Sequence, residues 1–196
     1  AGGIFSRRTL TTDGIEMTFA INYLAPFLLT QLLLPTLRAS TPARIVNISS
    51  NLHRLGTLQF DDLQGNKNYR GLRGAYAQSK LAILLFTYEL ARQLEGTGVT
   101  VNAVDPGSVK TNVYRNSTGM LALMGKVGTP FYTSAEQGAQ SSIYAASAPE
   151  LEGNSGRYYS SKAKEIRSSN SSYDEATAKR LWQISLQLTG LAVNVS

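Results

Sequence analysis

The sequence contains no cysteine and a single histidine, His53. Without cysteine the chain can form no disulfide, no thiolate zinc site and no cysteine nucleophile. A single histidine provides no cluster of metal ligands and leaves a Ser-His-Asp triad without a choice of base. We therefore expect no metal site, and we expect His53 to be a surface or loop residue.

Long apolar runs are also missing. The most apolar stretch covers 19–34 (FAINYLAPFLLTQLLL) and contains Asn22, Pro26 and Gln31. A membrane-spanning helix needs about 20 consecutive apolar residues, so we expect no transmembrane span. The stretch instead predicts a helix that is buried on most sides. No signal peptide is visible at the N-terminus. We expect a cytoplasmic location, with peripheral membrane association as the alternative.

Basic residues exceed acidic ones, but they form no run. Lys and Arg number 19 against 13 Asp and Glu, a net charge of +6. The nearest approach to a cluster is Arg7-Arg8, so the charge hints at an anionic ligand and we expect no nucleic-acid partner. With 196 residues, 42% hydrophobic and 16% charged, the chain has the composition of one globular α/β domain, or of one with a piece missing.

Helical and strand patterns alternate along the chain. Helices are predicted over 13–39, 72–94, 134–146 and 173–188, and short strands over 44–50, 99–104 and 156–160. This order predicts a parallel sheet covered by helices on both faces. Ligands of such sheets bind beyond the carboxyl ends of the strands. The Ser49-Ser50 turn and the Asp105-Pro106-Gly107 turn should therefore be neighbours and carry the chemistry.

Tyr76 and Lys80 lie four residues apart on a predicted helix, and therefore on one face of it. A free tyrosine has a pKa of about 10, and a neighbouring ammonium lowers it. The pair can thus act as a general acid and base. The alternative is a packed tyrosine beside a lysine whose ammonium extends into water.

Two further polar features accompany this pair. A serine hydroxyl at the end of the preceding strand can donate to a substrate oxygen. Asn22 lies in an otherwise apolar helix, where a buried amide needs partners. Its role is either a local hydrogen bond or a water relay.

Four motifs in this order resemble the short-chain dehydrogenase/reductase family. They are INYLAPFLLT, NISS, YAQSK and VNAVDPGSVKT, and the initial AGG resembles the tail of the family's Asn-Asn-Ala-Gly motif. The segments SSNLHRLG and AILLFTYELARQL resemble its retinol-dehydrogenase-like branch. The resemblance implies that residues 1–196 form a single partial Rossmann-type domain. That domain would be the C-terminal part of a doubly wound parallel sheet with flanking helices.

The resemblance also implies roles for individual residues. Tyr76 would exchange the proton at the substrate oxygen, and Lys80 would lower the pKa of that tyrosine and bind the nicotinamide ribose. Ser50, rather than Ser49, would polarise the substrate oxygen, and Asn22 would hold a water that links Lys80 to solvent. The residues implied in cofactor binding are Ala1, Gly2, Tyr76, Lys80, Pro106, Gly107, Val109 and Thr111. The loop 112–132 would close over an apolar substrate near Leu121, Leu123, Met124 and Phe131.

The implied reaction is the interconversion of an alcohol and a carbonyl by hydride transfer with NADP or NAD. The basic charge balance slightly favours NADP. None of the 17 glycines forms a G-x-G-x-x-G or T-G-x-x-x-G-x-G pattern, the turn that receives the cofactor pyrophosphate. The alternative is therefore an inactive remnant or interaction module that binds no dinucleotide. The family further implies a homodimer through helices 19–34 and 76–94, and the alternative is that the same apolar residues form the core of a single chain.

Overall fold

The computed structural model describes residues 2–109, 118, 123 and 132–191. Within them three parallel strands form one sheet in the order β1-β2-β3. The strands are β1 (Ala43–Ile48), β2 (Val99–Val104) and β3 (Tyr158–Tyr159). The parallel sheet that the alternating pattern predicted is confirmed.

Four longer helices accompany the sheet in the part of the chain that the structure describes. They are α1 (Met17–Ala39), α2 (Ala77–Gln93), α3 (Ala135–Ser147) and α4 (Glu175–Leu188). A π-helical turn, Ala20–Leu24, interrupts α1, and a second, Gly71–Tyr76, leads into α2. Short 3-10 turns cover Asn51–Leu55, Phe60–Asp62, Pro149–Leu151 and Asn170–Tyr173.

The helices cover both faces of the sheet. Val99 and Val101 of β2 join the large core formed with α1, α2 and α4. Val104 points to the other face, where it packs with Ala145 of α3. Alternation along β2 thus separates two apolar cores, and both faces of this strand are buried, as expected for a parallel sheet.

The start of α1 differs from the sequence prediction, which placed it at Asp13. Gly14 adopts a φ of 76°, a left-handed conformation that ends any helix there. The helix begins instead at Met17, where the buried Glu16 carboxylate accepts hydrogen bonds from the Thr18 and Phe19 amides at 2.8 and 2.7 Å. This carboxylate is the N-cap and satisfies two backbone donors that have no partner inside the helix.

The sequence analysis excluded a transmembrane span, and this exclusion is wrong. The helix does not stop at Pro35, and α1 forms 23 residues that are long and apolar enough to cross a membrane. The sequence analysis predicted the helix as far as residue 39 but counted only the uninterrupted apolar run 19–34, whereas the whole of Met17–Ala39 meets the criterion. Within α1's most apolar window 39% is buried inside the protein, so much of this face is exposed. Core helices of soluble proteins pass the same length and composition test.

Part of the predicted dimer surface is covered by α4 in this chain. Trp182 of α4 packs its ring 5.2 Å from that of Phe27 and 5.8 Å from that of Phe86. The Tyr23 hydroxyl is 2.7 Å from the Ser185 hydroxyl of α4. Every residue of α2 from Ala77 to Leu90 is buried. This burial supports the alternative that the apolar residues of α2 belong to the core of one chain, whereas the homodimer through helices 19–34 and 76–94 remains a prediction.

Candidate functional site

The candidate site lies at the carboxyl ends of β1 and β2. Ile48 pairs with Val104 at the end of the register, and the Ser49 amide donates to the Val104 carbonyl at 2.8 Å. The Ser49-Ser50 turn and the turn that begins at Asp105 are consequently neighbours, as the strand order predicted. This edge is where open α/β sheets present side chains to a ligand.

Tyr76 and Lys80 reach this edge from the start of α2. Tyr76 closes the π-helical turn, and Lys80 follows one helical turn later. The Lys80 Nζ atom lies 5.6 Å from the centre of the Tyr76 ring. Lys80 is only 4% exposed, and its Nζ donates to the Ile48 carbonyl at 3.0 Å. The alternative of an ammonium extending into water is therefore wrong.

Burial changes the acidity of Lys80. Removal from water lowers the pKa of its ammonium to about 8, and the negative charge of Asp105 acts in the opposite direction. Below that pH the side chain carries a positive charge beside Tyr76. Near neutrality this lysine can therefore both hold a charge and release a proton.

The two serines of the turn have different surroundings. Ser49 is buried, and its hydroxyl donates to the Lys80 carbonyl at 2.9 Å. Ser50 is half-buried, and its Oγ atom accepts from the Leu52 amide at 3.3 Å. A hydroxyl that accepts in this way still has its own hydrogen to donate. Ser49 thus ties β1 to α2, whereas Ser50 has the exposure and the hydrogen that contact with a substrate oxygen requires.

Asn22 lies in the π-helical turn of α1 and is 2% exposed. Its Nδ2 atom donates to the Gly3 carbonyl at 3.0 Å and to the Ser79 hydroxyl at 3.1 Å, and its Oδ1 accepts from the Gly3 amide at 2.9 Å. The asparagine therefore joins the N-terminal segment to α2. A Cβ atom at Gly2 would lie 3.3 Å from Asn22 Oδ1 and 3.9 Å from Lys80 Nζ. Gly2 is thus positioned between the two side chains.

The residues implied in cofactor binding are placed only in part. Pro106 and Gly107 follow β2, and the Gly107 amide donates to Asp105 Oδ1 at 2.9 Å. Gly107 has a φ of 74°, a conformation that favours glycine. Val109 forms a parallel bridge with Thr133. Ala1, Thr111, Leu121, Met124 and Phe131 lie outside the described residues, as does most of the loop 112–132. Leu123 is described and exposed.

His53 lies in the connection between β1 and α2, as expected of a loop residue, but it is fully buried rather than on the surface. Its Nδ1 atom lies 2.7 Å from the Ser50 carbonyl oxygen, and its Nε2 atom accepts from the Ser169 amide at 3.0 Å. The signal in the sequence was its position three residues after Ser50. Its second partner is 116 residues away, which no local pattern indicates.

Comparisons with known proteins place these residues in a family. A family model described as short chain dehydrogenase matches residues 2–122. Retinol dehydrogenase 12 of Mus musculus is 47% identical over 191 residues, which is 97% of this chain and 60% of that protein. Retinol dehydrogenase 14 of Homo sapiens is 47% identical over 184 residues, which is 92% of this chain and 54% of that protein. The chain spans little more than half the length of these relatives.

Solved structures agree with the fold. The crystal structure of an uncharacterized protein from Mycobacterium Paratuberculosis matches with a TM-score of 0.74 and 31% identity, over 96% of this chain and 64% of that one. An NADPH-bound carbonyl reductase from chicken fatty liver matches with a TM-score of 0.55 and 20% identity, over 85% of this chain and 62% of that one. This second likeness shows the fold alone. The resemblance drawn from the sequence motifs is confirmed, and the chain belongs to the short-chain dehydrogenase family.

Proposed function

We propose that this protein is an oxidoreductase that interconverts an apolar alcohol and its carbonyl compound, with NADP or NAD as the hydride carrier. The observation that carries the proposal is the buried Lys80 ammonium 5.6 Å from the Tyr76 ring, at the sheet edge where Ser50 is half-buried. A buried cation is costly, so its retention beside a tyrosine argues for chemistry rather than for packing.

Three side chains, those of Tyr76, Lys80 and Ser50, have different roles at the substrate oxygen. In the direction of reduction, the Tyr76 hydroxyl gives its proton to that oxygen, and in oxidation the phenolate takes a proton back. The Lys80 charge favours the phenolate form. The Ser50 hydroxyl donates a hydrogen bond to the same oxygen and stabilises the negative charge that develops on it. The nicotinamide supplies or accepts the hydride when it is bound.

The residues near the sheet edge fit the nicotinamide end of such a cofactor. Gly2 has no side chain, and a Cβ there would occupy space within 4 Å of both Asn22 and Lys80. We propose that Lys80 and Tyr76 contact the ribose, and that Pro106, Gly107 and Val109 line the ring, together with Ala1, Gly2 and Thr111. The sequence carries no glycine-rich pyrophosphate turn, so the fit extends no further than this end of the cofactor. Of the two cofactors we favour NADP, because the chain is basic.

Asn22 is proposed to pass protons between Lys80 and solvent. Its Oδ1 atom accepts one hydrogen bond from Gly3 and has capacity for a second. Asn22 Oδ1 and Lys80 Nζ both border Gly2, so a water on this oxygen would lie close to the ammonium.

The names of the relatives suggest the substrate class. Two of them are retinol dehydrogenases, so we propose a long apolar primary alcohol and its aldehyde. The exposed leucines of α1, Leu29, Leu32 and Leu33, support peripheral association with a membrane, where such a substrate would dissolve.

The decisive experiment compares wild type with Tyr76→Phe. Turnover of all-trans retinal is followed by the loss of NADPH absorbance, and binding of NADPH and NADH is followed by nicotinamide fluorescence. Because loss of a general acid costs about 100- to 10,000-fold, we expect turnover to fall by that factor while dinucleotide binding persists. Undiminished turnover in Tyr76→Phe would refute the assignment. A wild-type chain that neither binds a dinucleotide nor turns over would favour the inactive interaction module.

A further inference from the structure

His53, the one histidine of the chain, has its ring buried between two backbone segments. It is fully buried behind the turn that carries Ser50, with its ring edge-on to Tyr158 at a centroid distance of 5.4 Å. Both ring nitrogens contact backbone atoms, Nδ1 at Ser50 and Nε2 at Ser169. The imidazole therefore joins the candidate catalytic turn to the segment that follows β3.

The contacts fix the protonation state and the tautomer of this ring. The Ser169 amide can only donate, so Nε2 must be the acceptor and carries no hydrogen. Nδ1 then carries the hydrogen and donates it to the Ser50 carbonyl. A neutral imidazole has one donor and one acceptor, and both are satisfied here. Burial and the Arg54 charge lower the pKa of His53, while the Ser50 carbonyl and the Asp105 charge oppose this.

The Ser50 carbonyl accepts two hydrogen bonds from the same residue. The His53 backbone amide donates at 3.0 Å and its Nδ1 atom contacts the oxygen at 2.7 Å. Two donors on one carbonyl hold the peptide plane after Ser50, and this plane sets the direction in which the Ser50 side chain leaves the backbone. Arg54 reinforces the same turn, because its Nη2 donates to the Arg167 carbonyl at 2.5 Å and its Nε to Asn51 Oδ1 at 2.8 Å.

We infer that His53 is a positioning residue, whose neutral Nδ1–H tautomer holds the Ser50 carbonyl and so aims the Ser50 hydroxyl at the substrate oxygen. This inference rests on the role proposed above for Ser50. It assigns His53 no contact with substrate or cofactor. Its contribution is to restrict the serine to one direction, since small displacements of catalytic groups lower rates strongly.

A matched pair of substitutions separates the two contacts of the ring. In His53→Asn the amide nitrogen replaces Nδ1 and keeps the donor to Ser50, whereas the contact with Ser169 is lost. In His53→Gln the amide oxygen replaces Nε2 and keeps the acceptor for Ser169, whereas the donor to Ser50 is lost. Both variants remove the imidazole ring from its contact with Tyr158, so they share that part of the stability cost.

The measurements are kcat and KM for the carbonyl substrate, the melting temperature, and amide hydrogen exchange at Leu52, whose amide donates to Ser50 Oγ. We expect His53→Gln to lose about tenfold or more in kcat with little change in KM, as for a displaced catalytic group, and to lose protection at Leu52. In His53→Asn, kcat and the protection of the Leu52 amide should both stay within about threefold of the wild-type values. Equal kcat and equal protection in the two variants would overturn the inference.

Nitrogen-15 spectra of wild type give a second readout that needs no turnover. Because the chain has one histidine, the imidazole signals come from His53 alone. We expect the Nδ1–H tautomer with an unprotonated Nε2 at pH 7. An Nε2–H tautomer or a freely averaging ring would contradict the inference. If wild type shows no turnover, the function proposed above fails, and the tautomer and Leu52 exchange still decide whether His53 holds this turn.

Discussion

Lys80→Met should make the protein more stable at neutral pH while abolishing the proposed oxidoreductase activity. The side chain of Lys80 is almost fully buried, and burial lowers the pKa of its ammonium from an ordinary 10.5 to about 8. At about 1.4 kcal/mol per pH unit, that difference costs the folded state about 3 kcal/mol when the lysine is protonated. Methionine has a similar length and no charge. Methionine cannot form the hydrogen bond that Lys80 donates to the Ile48 carbonyl, and the loss of this bond costs about 1 kcal/mol. A net gain of about 2 kcal/mol remains.

The gain must depend on pH, and its sign follows from proton binding. The folded pKa lies below the unfolded one, so between about pH 8 and 10.5 the unfolded chain binds more protons than the folded chain. The contribution of Lys80 to the free energy of unfolding of the wild type therefore rises with pH across that interval. Below pH 8 the full cost is present, and above pH 10.5 it has vanished. The advantage of Lys80→Met should be largest at pH 7 and should fall steadily as the pH rises towards 10.

Urea unfolding at pH 7 and pH 9.5 measures this difference. The single tryptophan, Trp182, is packed against Phe27 and Phe86, so its fluorescence reports loss of the core. Lys162→Met, at an exposed lysine, is the control and should change the free energy of unfolding by less than about 0.5 kcal/mol. A Lys80→Met variant that is less stable than wild type at pH 7, or whose difference is the same at both pH values, would refute the reasoning.

Two other predictions test the serine turn and the cover formed by α4. Ser49→Ala, which removes the buried hydrogen bond from Ser49 Oγ to the Lys80 carbonyl, should lower the free energy of unfolding by about 1 kcal/mol in a urea titration. Ser50→Ala should change the free energy of unfolding by less than about 1 kcal/mol and should lower kcat in the retinal assay. If Ser49→Ala lowered kcat and Ser50→Ala lowered stability instead, the structural and substrate-contacting roles of the two serines would be exchanged. Trp182→Ala should cost about 3–5 kcal/mol, read from thermal melts by circular dichroism. A change below about 1 kcal/mol would mean that α4 is not part of the core.

The fold was predictable because it depends on local patterns. The β-branched segments around Ile45 and Val101 and the helical periods between them fix a parallel sheet with little ambiguity. Helix ends were harder to predict, since they depend on which side chain reaches a backbone donor. Asp13 and Glu16 are both plausible caps, and the left-handed Gly14 decides between them.

The candidate site was predictable as a set of residues and not as a set of contacts. The spacing of Tyr76 and Lys80 gives their common face, but the burial of Lys80 depends on β1 and α2 packing together. His53 was misjudged for the same reason, because Ser169, its distant partner, arrives only through the fold. The packing of α4 on α1 and α2 was not predictable either, because nothing local in the sequence of α4 indicates which helices Trp182 will cover.

The burial of α2 links stability to the proposed chemistry. A helix that carries an acid–base pair must be held rigidly, and α2 is buried along the whole of Ala77 to Leu90. The same exclusion of water lowers the pKa of Lys80, so the rigidity and the acidity of the lysine have one cause. α4 covers part of the same core, because Trp182 packs against Phe86 of α2 and Ser185 bonds to Tyr23 of α1. Substitutions that loosen α4 should therefore act on the candidate site indirectly, by loosening the core that holds α2 and its acid–base pair in place.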